Sequence, residues 1–216
     1  FSIRPVNHHN FAIPLALAAG ESSWIYLRVV TETSVQIPLL LWDREHFFEQ
    51  QQGALIGHGL YFGMLLVMTI YNLFIFITVR HSSYLYYAGS VAALAIVMTT
   101  MHGFGFQYLW PDFPAANRWM LTASLSLFVA SAAGFTNSLL QLKRNSPRFY
   151  FMMLGYAILF TVVLALSPVA PYRIIIQTVM MMGVIASLTG LLAGLYMLQR
   201  GVRQAHYYVL AYGALI

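Results

Sequence analysis

Residues 60–79 read LYFGMLLVMTIYNLFIFITV, a stretch with no Asp, Glu, Lys or Arg that closes on Arg80. As a helix, a segment of that length rises about 30 Å, which matches the roughly 30 Å hydrocarbon core of a bilayer. Four further stretches share its length and purity: residues 84–101, 120–142, 149–166 and 174–198. Each predicts a membrane-spanning helix. Residues 207–216 stay apolar to the last residue. Ten helical residues reach only about 15 Å, so they predict the start of a sixth span and a native chain that continues. Composition agrees, since 60% of the 216 residues are hydrophobic and 8% charged. One soluble core of this size cannot hide that much apolar surface.

Working outward from the spans, residues 11–18, 24–30 and 34–42 are short runs rich in apolar and β-branched side chains, divided by the polar clusters 20–23 and 31–33. They predict three strands of an antiparallel sheet, with Pro14 and Pro38 at edges or bulges because proline donates no ladder bond. Three strands are too few for a core of their own, so residues 1–54 read as the end of a larger β-domain. Within them, residues 43–52 predict a short connecting helix at the membrane surface. The fold expected is thus a mainly α polytopic bundle over residues 55–216, preceded by the last strands of an extracytoplasmic β-sandwich. Residues 1–52 contain no basic stretch followed by an apolar one, so any secretion signal is expected upstream.

The charges orient the bundle. The links after the first, third and fifth spans carry Arg80, Lys143, Arg144, Arg148, Arg200 and Arg203 and no acid. By the positive-inside rule they are cytoplasmic. The opposite links carry only Arg118 and Arg173, and every acidic residue (Glu21, Glu32, Asp43, Glu45, Glu49 and Asp112) falls on that side. The six cations of the first group are candidates for coupling to cytoplasmic machinery. The net charge of +5 comes without a basic stripe interleaved with aromatics, which argues against nucleic acid as a partner.

The chemistry visible in the spans is sparse. Pumps, proton-coupled carriers and retinal pigments need a titratable atom at depth, whereas the one lysine, Lys143, sits at a cytoplasmic helix end. Cysteine is absent, which removes thiol catalysis, thiolate metal sites and disulfides. No nucleophilic, acid–base, metal or phosphate-binding constellation stands out, and no cofactor is expected. Asn72, Asn137 and Gln177 are the main amides within spans and are expected to bond between helices, since hydrocarbon offers them no other partner. Gly183, Ala186, Gly190 and Gly194 form a stripe that lets backbones approach closely. Packing within one bundle is its expected use, and a homodimer face the alternative. At the outer face, His102, Tyr108, Trp110 and Trp119 are candidates for ligand contact or for the interfacial aromatic belt. His8 and His9 lack the spacing of a metal pair.

In their order and spacing, several landmarks resemble the bacterial seven-transmembrane receptors with diverse intracellular signalling modules. They are Tyr26–Val29, Pro38–Trp42, Gly59 and Gly63 leading to Tyr71–Leu73, and Arg80 with Tyr84, Leu85 and Tyr87. They continue through Gly103 and Tyr108–Pro111, Leu139, Leu142 and Pro147, to Gly201, Ala205, Tyr208 and Ala211. Departures occur at His81, where an acidic or polar residue is common, and near Tyr212, where a tryptophan is common. The resemblance implies a bacterial inner-membrane protein with an upstream β-sandwich of carbohydrate-binding-like character on the periplasmic or extracellular side. It also implies a seventh helix and a cytoplasmic output in the same chain, typically a histidine kinase or diguanylate cyclase. The functional expectation is a receptor that relays an extracytoplasmic ligand to that output. A transporter or channel for a small neutral solute is the alternative, and a membrane enzyme is disfavoured for want of a convergent polar site.

Overall fold

The structure, a computed structural model, describes residues 8, 12–18, 20–29, 39–113, 115–169 and 171–213. Helices α1 (Arg44–Val79), α2 (Ser82–Met101), α3 (Ala115–Leu139), α4 (Leu142–Asn145), α5 (Pro147–Leu166), α6 (Tyr172–Gln199) and α7 (Arg203–Gly213) follow in order, with a π-helical turn at Gly105–Leu109. Helices α1, α2, α3, α5 and α6 are long and apolar enough to cross a membrane, as the charge-free stretches predict.

Local chemistry sets the ends. The Asp43 side chain caps α1 by accepting from the His46 N–H at 2.8 Å. That bond holds its carboxyl below the usual range. Helix α1 stops where Arg80 turns left-handed (φ 58°) and its N–H reaches Phe76 O at 2.8 Å. The turn between α6 and α7 is a Schellman-type stop: Gly201 takes φ +74° and the Val202 N–H bonds Met197 O at 3.1 Å.

The boundaries depart from expectation in three places. The connecting helix expected over residues 43–52 is not separate, because α1 runs unbroken for 36 residues, roughly 54 Å. No proline interrupts it, and its glycines lower helix propensity without removing a hydrogen bond. The third span begins earlier and ends at Leu139, because Gln141 adopts φ 49° and α4 starts a new turn. Helix α7 likewise begins ahead of the expected start of a sixth span at residue 207, at Arg203.

Among the described residues before Asp43 none lies in a hydrogen-bonded strand. A tight turn does stand at the expected first divide: Glu21 N–H bonds Ala18 O at 3.0 Å, with Gly20 at φ +84°. Trp24 and Tyr26 are almost fully exposed, and a strand persists only with a paired ladder and a covered face. Residues 34–38 of the third expected strand lie outside the described residues.

Helix α3 is central and packs against α2, α5 and α6, while α1 leans on α2 and α7 on α6. Small contacts make this possible. Gly89 of α2 meets Ser131, and Gly134 of α3 lies under the Tyr86 ring. Buried Thr122, Ser124 and Ser126 donate to carbonyls of their own helix, so α3 carries hydroxyls into the bundle without leaving them unpaired. Helix α1 turns one seam inward (Ala54, His58, Phe62, Leu65, Thr69 and Asn72), and most of its other side chains are exposed. In a bilayer, lipid covers that face. The larger core cluster joins Leu140, Leu142, Met153, Met197, Ala205 and Tyr208 near the basic end of the bundle. A smaller one joins Phe160, Ile175 and Val179 toward the other end.

Candidate signal-coupling site

The small-residue stripe of α6 is filled from within the chain. Gly183 faces Val129 of α3, 3.7 Å from where a Cβ would stand, and Ala186 is buried. Further along, α7 lays two tyrosines into the stripe. A Cβ on Gly194 would fall 2.6 Å from the Tyr208 ring, and one on Gly190 would fall 3.0 Å from the Tyr208 hydroxyl and 3.3 Å from that of Tyr212. The two rings lie 5.0 Å apart. Only glycine leaves room for an aromatic ring at that height above a helix axis, which is why α7 can register against α6.

The same ring reaches a third helix. Tyr208 and Thr136 hydroxyls lie 3.1 Å apart, and Thr136 also bonds its own Ala132 O at 2.9 Å. A carbonyl only accepts, so the threonine proton goes there and Tyr208 donates to Thr136. Tyr156 of α5 stands in the same relation to Thr189 of α6, 3.3 Å away, because Thr189 donates to Ile185 O at 2.7 Å. Ser83 of α2 and Ser138 of α3 make a third cross-helix bond at 2.9 Å. Hydroxyls therefore bridge the helices, and the amides expected to do so are placed otherwise. Asn72 is buried but donates to Met68 O of its own helix at 2.8 Å. Asn137 holds its Oδ1 buried without a partner among the described residues, and Gln177 lies on an exposed face. For Asn72 the reason is reach: its amide finds the carbonyl one turn back first, whereas short hydroxyls meet where the helices approach closely.

The expected coupling cations ring this end of the bundle. Arg80, Lys143, Arg144, Arg148, Arg200 and Arg203 are all exposed. The Arg200 side chain lies 4.8 Å over the Tyr196 ring and donates to Asn145 O at 3.4 Å. Asn145 in turn donates to Leu140 O at 3.0 Å. The turn between α6 and α7 is thereby tied to the link between α3 and α5.

The four outer-face candidates do not converge on one point. His102 ends α2, exposed, its ring 4.9 Å from His58 of α1. Tyr108 stacks on Phe104, and Phe104 also touches His58 and Phe62. Trp110 lies against Gly105, with its indole N–H buried and unpartnered among the described residues. Trp119 pairs edge-on with Phe113. His58 is the residue that sequence reasoning missed. It lies on the inward seam of α1 with Ala54, Phe62, Leu65 and Asn72, a seam that burial reveals and the uniformly apolar sequence does not.

Two family models match the chain. One, described as "7TM diverse intracellular signalling", covers residues 55–216. The other, "7TMR-DISM extracellular 2", covers residues 1–43, directly before the Asp43 cap of α1. No curated protein and no solved structure matches the chain. An extracellular module leading into five apolar helices that end in a tyrosine-registered hairpin is a multi-pass membrane arrangement with its N-terminal segment outside. The chain belongs to the 7TM diverse intracellular signalling family, the 7TMR-DISM membrane receptors.

Proposed function

We propose that the protein is a bacterial inner-membrane receptor whose bundle passes an extracytoplasmic binding event to a signalling module on the cytoplasmic side. The observation that carries this reading is the seat of Tyr208, one ring held at once by Gly194 of α6 and by Thr136 of α3. Any shift of α3 against α6 must move α7 or break that contact. A receptor needs such an element with two packings close in energy, and a ligand that prefers one of them. It needs no catalytic residue in the membrane. The continuity of α1 with the segment matching an extracellular module supports α1 as the input. The resemblance points to a carbohydrate-like ligand outside and to a histidine kinase or diguanylate cyclase inside. The competing reading is transport of a small neutral solute.

The deciding experiment uses the full-length gene. Deleting the extracytoplasmic segment should change the output measured in membranes as autophosphorylation or cyclic dinucleotide synthesis. Either sign is consistent, since deletion can favour either packing. An output untouched by deletion, or a gene that encodes no signalling domain and no partner, would favour transport.

Sidedness has its own test, made simple because the chain has no cysteine. Single cysteines at Glu49 and Asp112 should react with a membrane-impermeant thiol reagent in intact cells, and those at Asn145 and Gln204 should not. The reverse pattern would turn the bundle over.

A further inference from the structure

The outer contact between α1 and α2 is built around two imidazoles. His58 lies half-buried on the inward seam of α1, and His102 caps α2, with ring centroids 4.9 Å apart at 73°. His58 Nδ1 stands 2.7 Å from Ala54 O, and His102 Nδ1 stands 2.9 Å from Met98 O. Since a carbonyl only accepts, each Nδ1 carries the proton in the neutral ring, and a further proton must go to Nε2. Phe104 closes the group, 5.1 Å from His58 and 6.5 Å from His102.

We propose that His58 and His102 form a proton-responsive clasp that holds α1 to α2 at the extracytoplasmic face. An edge-to-face contact sets the positive edge of one ring against the electron-rich face of the other. One proton is compatible with it, because a cation beside an aromatic face is attracted to it and Phe104 offers a second face. Two protons set like charges across the same gap and remove the attraction. Imidazoles exchange protons between about pH 5 and 8, and the outer face meets the external medium, so acidification opens the clasp. The charged groups on surrounding elements are Asp43, Arg44, Glu45, His46 and Glu49 further out on α1, Asp112 and Arg118 beyond the π-helical turn, and Arg173 at the start of α6. Tyr108, stacked on Phe104, is the neighbouring phenol. A metal site is the weaker reading. No group of three His, Cys, Asp or Glu stands together among the described residues. Because α1 continues directly from the extracellular module, the clasp lets external protons alter how firmly the input helix is held.

Spin labels on cysteines replacing the exposed Gly57 and Met101 would report the gap in lipid nanodiscs containing a chelator. In the parent chain the distance distribution should shift longer and broaden between pH 8 and pH 5. A pair at Thr78 and Leu85, at the opposite end of the same helices, should not move. The variant combining His58→Gln and His102→Gln should give one distribution at both pH values. If that variant does not assemble, His102→Gln alone serves, since one remaining imidazole cannot create the repulsion. A parent distribution that ignores pH, or a response that survives His102→Gln, overturns the proposal.

Discussion

Replacing Gly194 by leucine should unseat α7 from the bundle. The new Cβ would fall 2.6 Å from the Tyr208 ring and 3.2 Å from Val209 of the same helix, so neither neighbour can yield without moving α7. Overpacking in well-filled cores costs about 1–3 kcal/mol, and a ring pinned between two helices places this site toward the upper end. Gly190→Leu should cost less, because there the first obstacles are hydroxyl tips at 3.0 and 3.3 Å. The half-buried Leu191 next to it is the control: Leu191→Ala removes bulk and obstructs nothing. Thermal unfolding of the purified protein in detergent should rank Gly194→Leu as the least stable and Leu191→Ala as the most. Equal midpoints for all three would remove the seat from the argument.

The complementary change, Tyr208→Ala, attacks the same joint from the other helix. Tyr208 is buried against Gly194 and Thr136. Burial from water contributes little here, since lipid is as apolar as the bundle, so the loss is mostly contact. Vacating roughly 100 Å³ at about 24 cal/mol per Å³ of cavity gives about 2–3 kcal/mol. Tyr208→Phe removes only the donor to Thr136, and single cross-helix hydrogen bonds in membranes average about 0.6 kcal/mol. Because both large changes act on one contact, they should not add. The double variant of Gly194→Leu with Tyr208→Ala should be more stable than the sum of the singles predicts, as the leucine enters the space the ring leaves. Strict additivity in the same unfolding assay would mean that the two residues do not share a seat.

These effects bear on signalling through the position of the joint. The denser core and the bonds Tyr208–Thr136 and Ser83–Ser138 gather toward the basic end, whereas α1 is held along one seam and is mostly exposed elsewhere. A bundle knit at one end and looser at the other transmits a push on its loose helix as a change at the knitted end, provided that end has two arrangements to choose from. On the proposed function, variants at Gly194 and Tyr208 that still assemble should shift output along with stability. His58 and His102 should act instead through how α1 is held.

The span locations, the basic end and the seven-transmembrane receptor resemblance were legible in the amino-acid sequence itself. Crossing a bilayer depends on length and on freedom from charge, and sidedness depends on which links hold Arg and Lys; both are properties of contiguous residues. The spans at 60–79, 84–101, 149–166 and 174–198 accordingly fall inside observed helices. What the sequence could not decide is which side of each helix meets protein. In water an apolar stripe marks that side, but in lipid both sides are apolar and the stripe disappears. That is why Gln177 was expected inward and lies exposed, why His58 passed unnoticed on the seam of α1, and why the glycines of α6 gave no hint that tyrosines from α7 would fill them. Only tertiary packing decided those pairings. The forces that choose them are close fit and a few hydroxyl bonds between helices, and they act between residues as far apart as Thr136 and Tyr208.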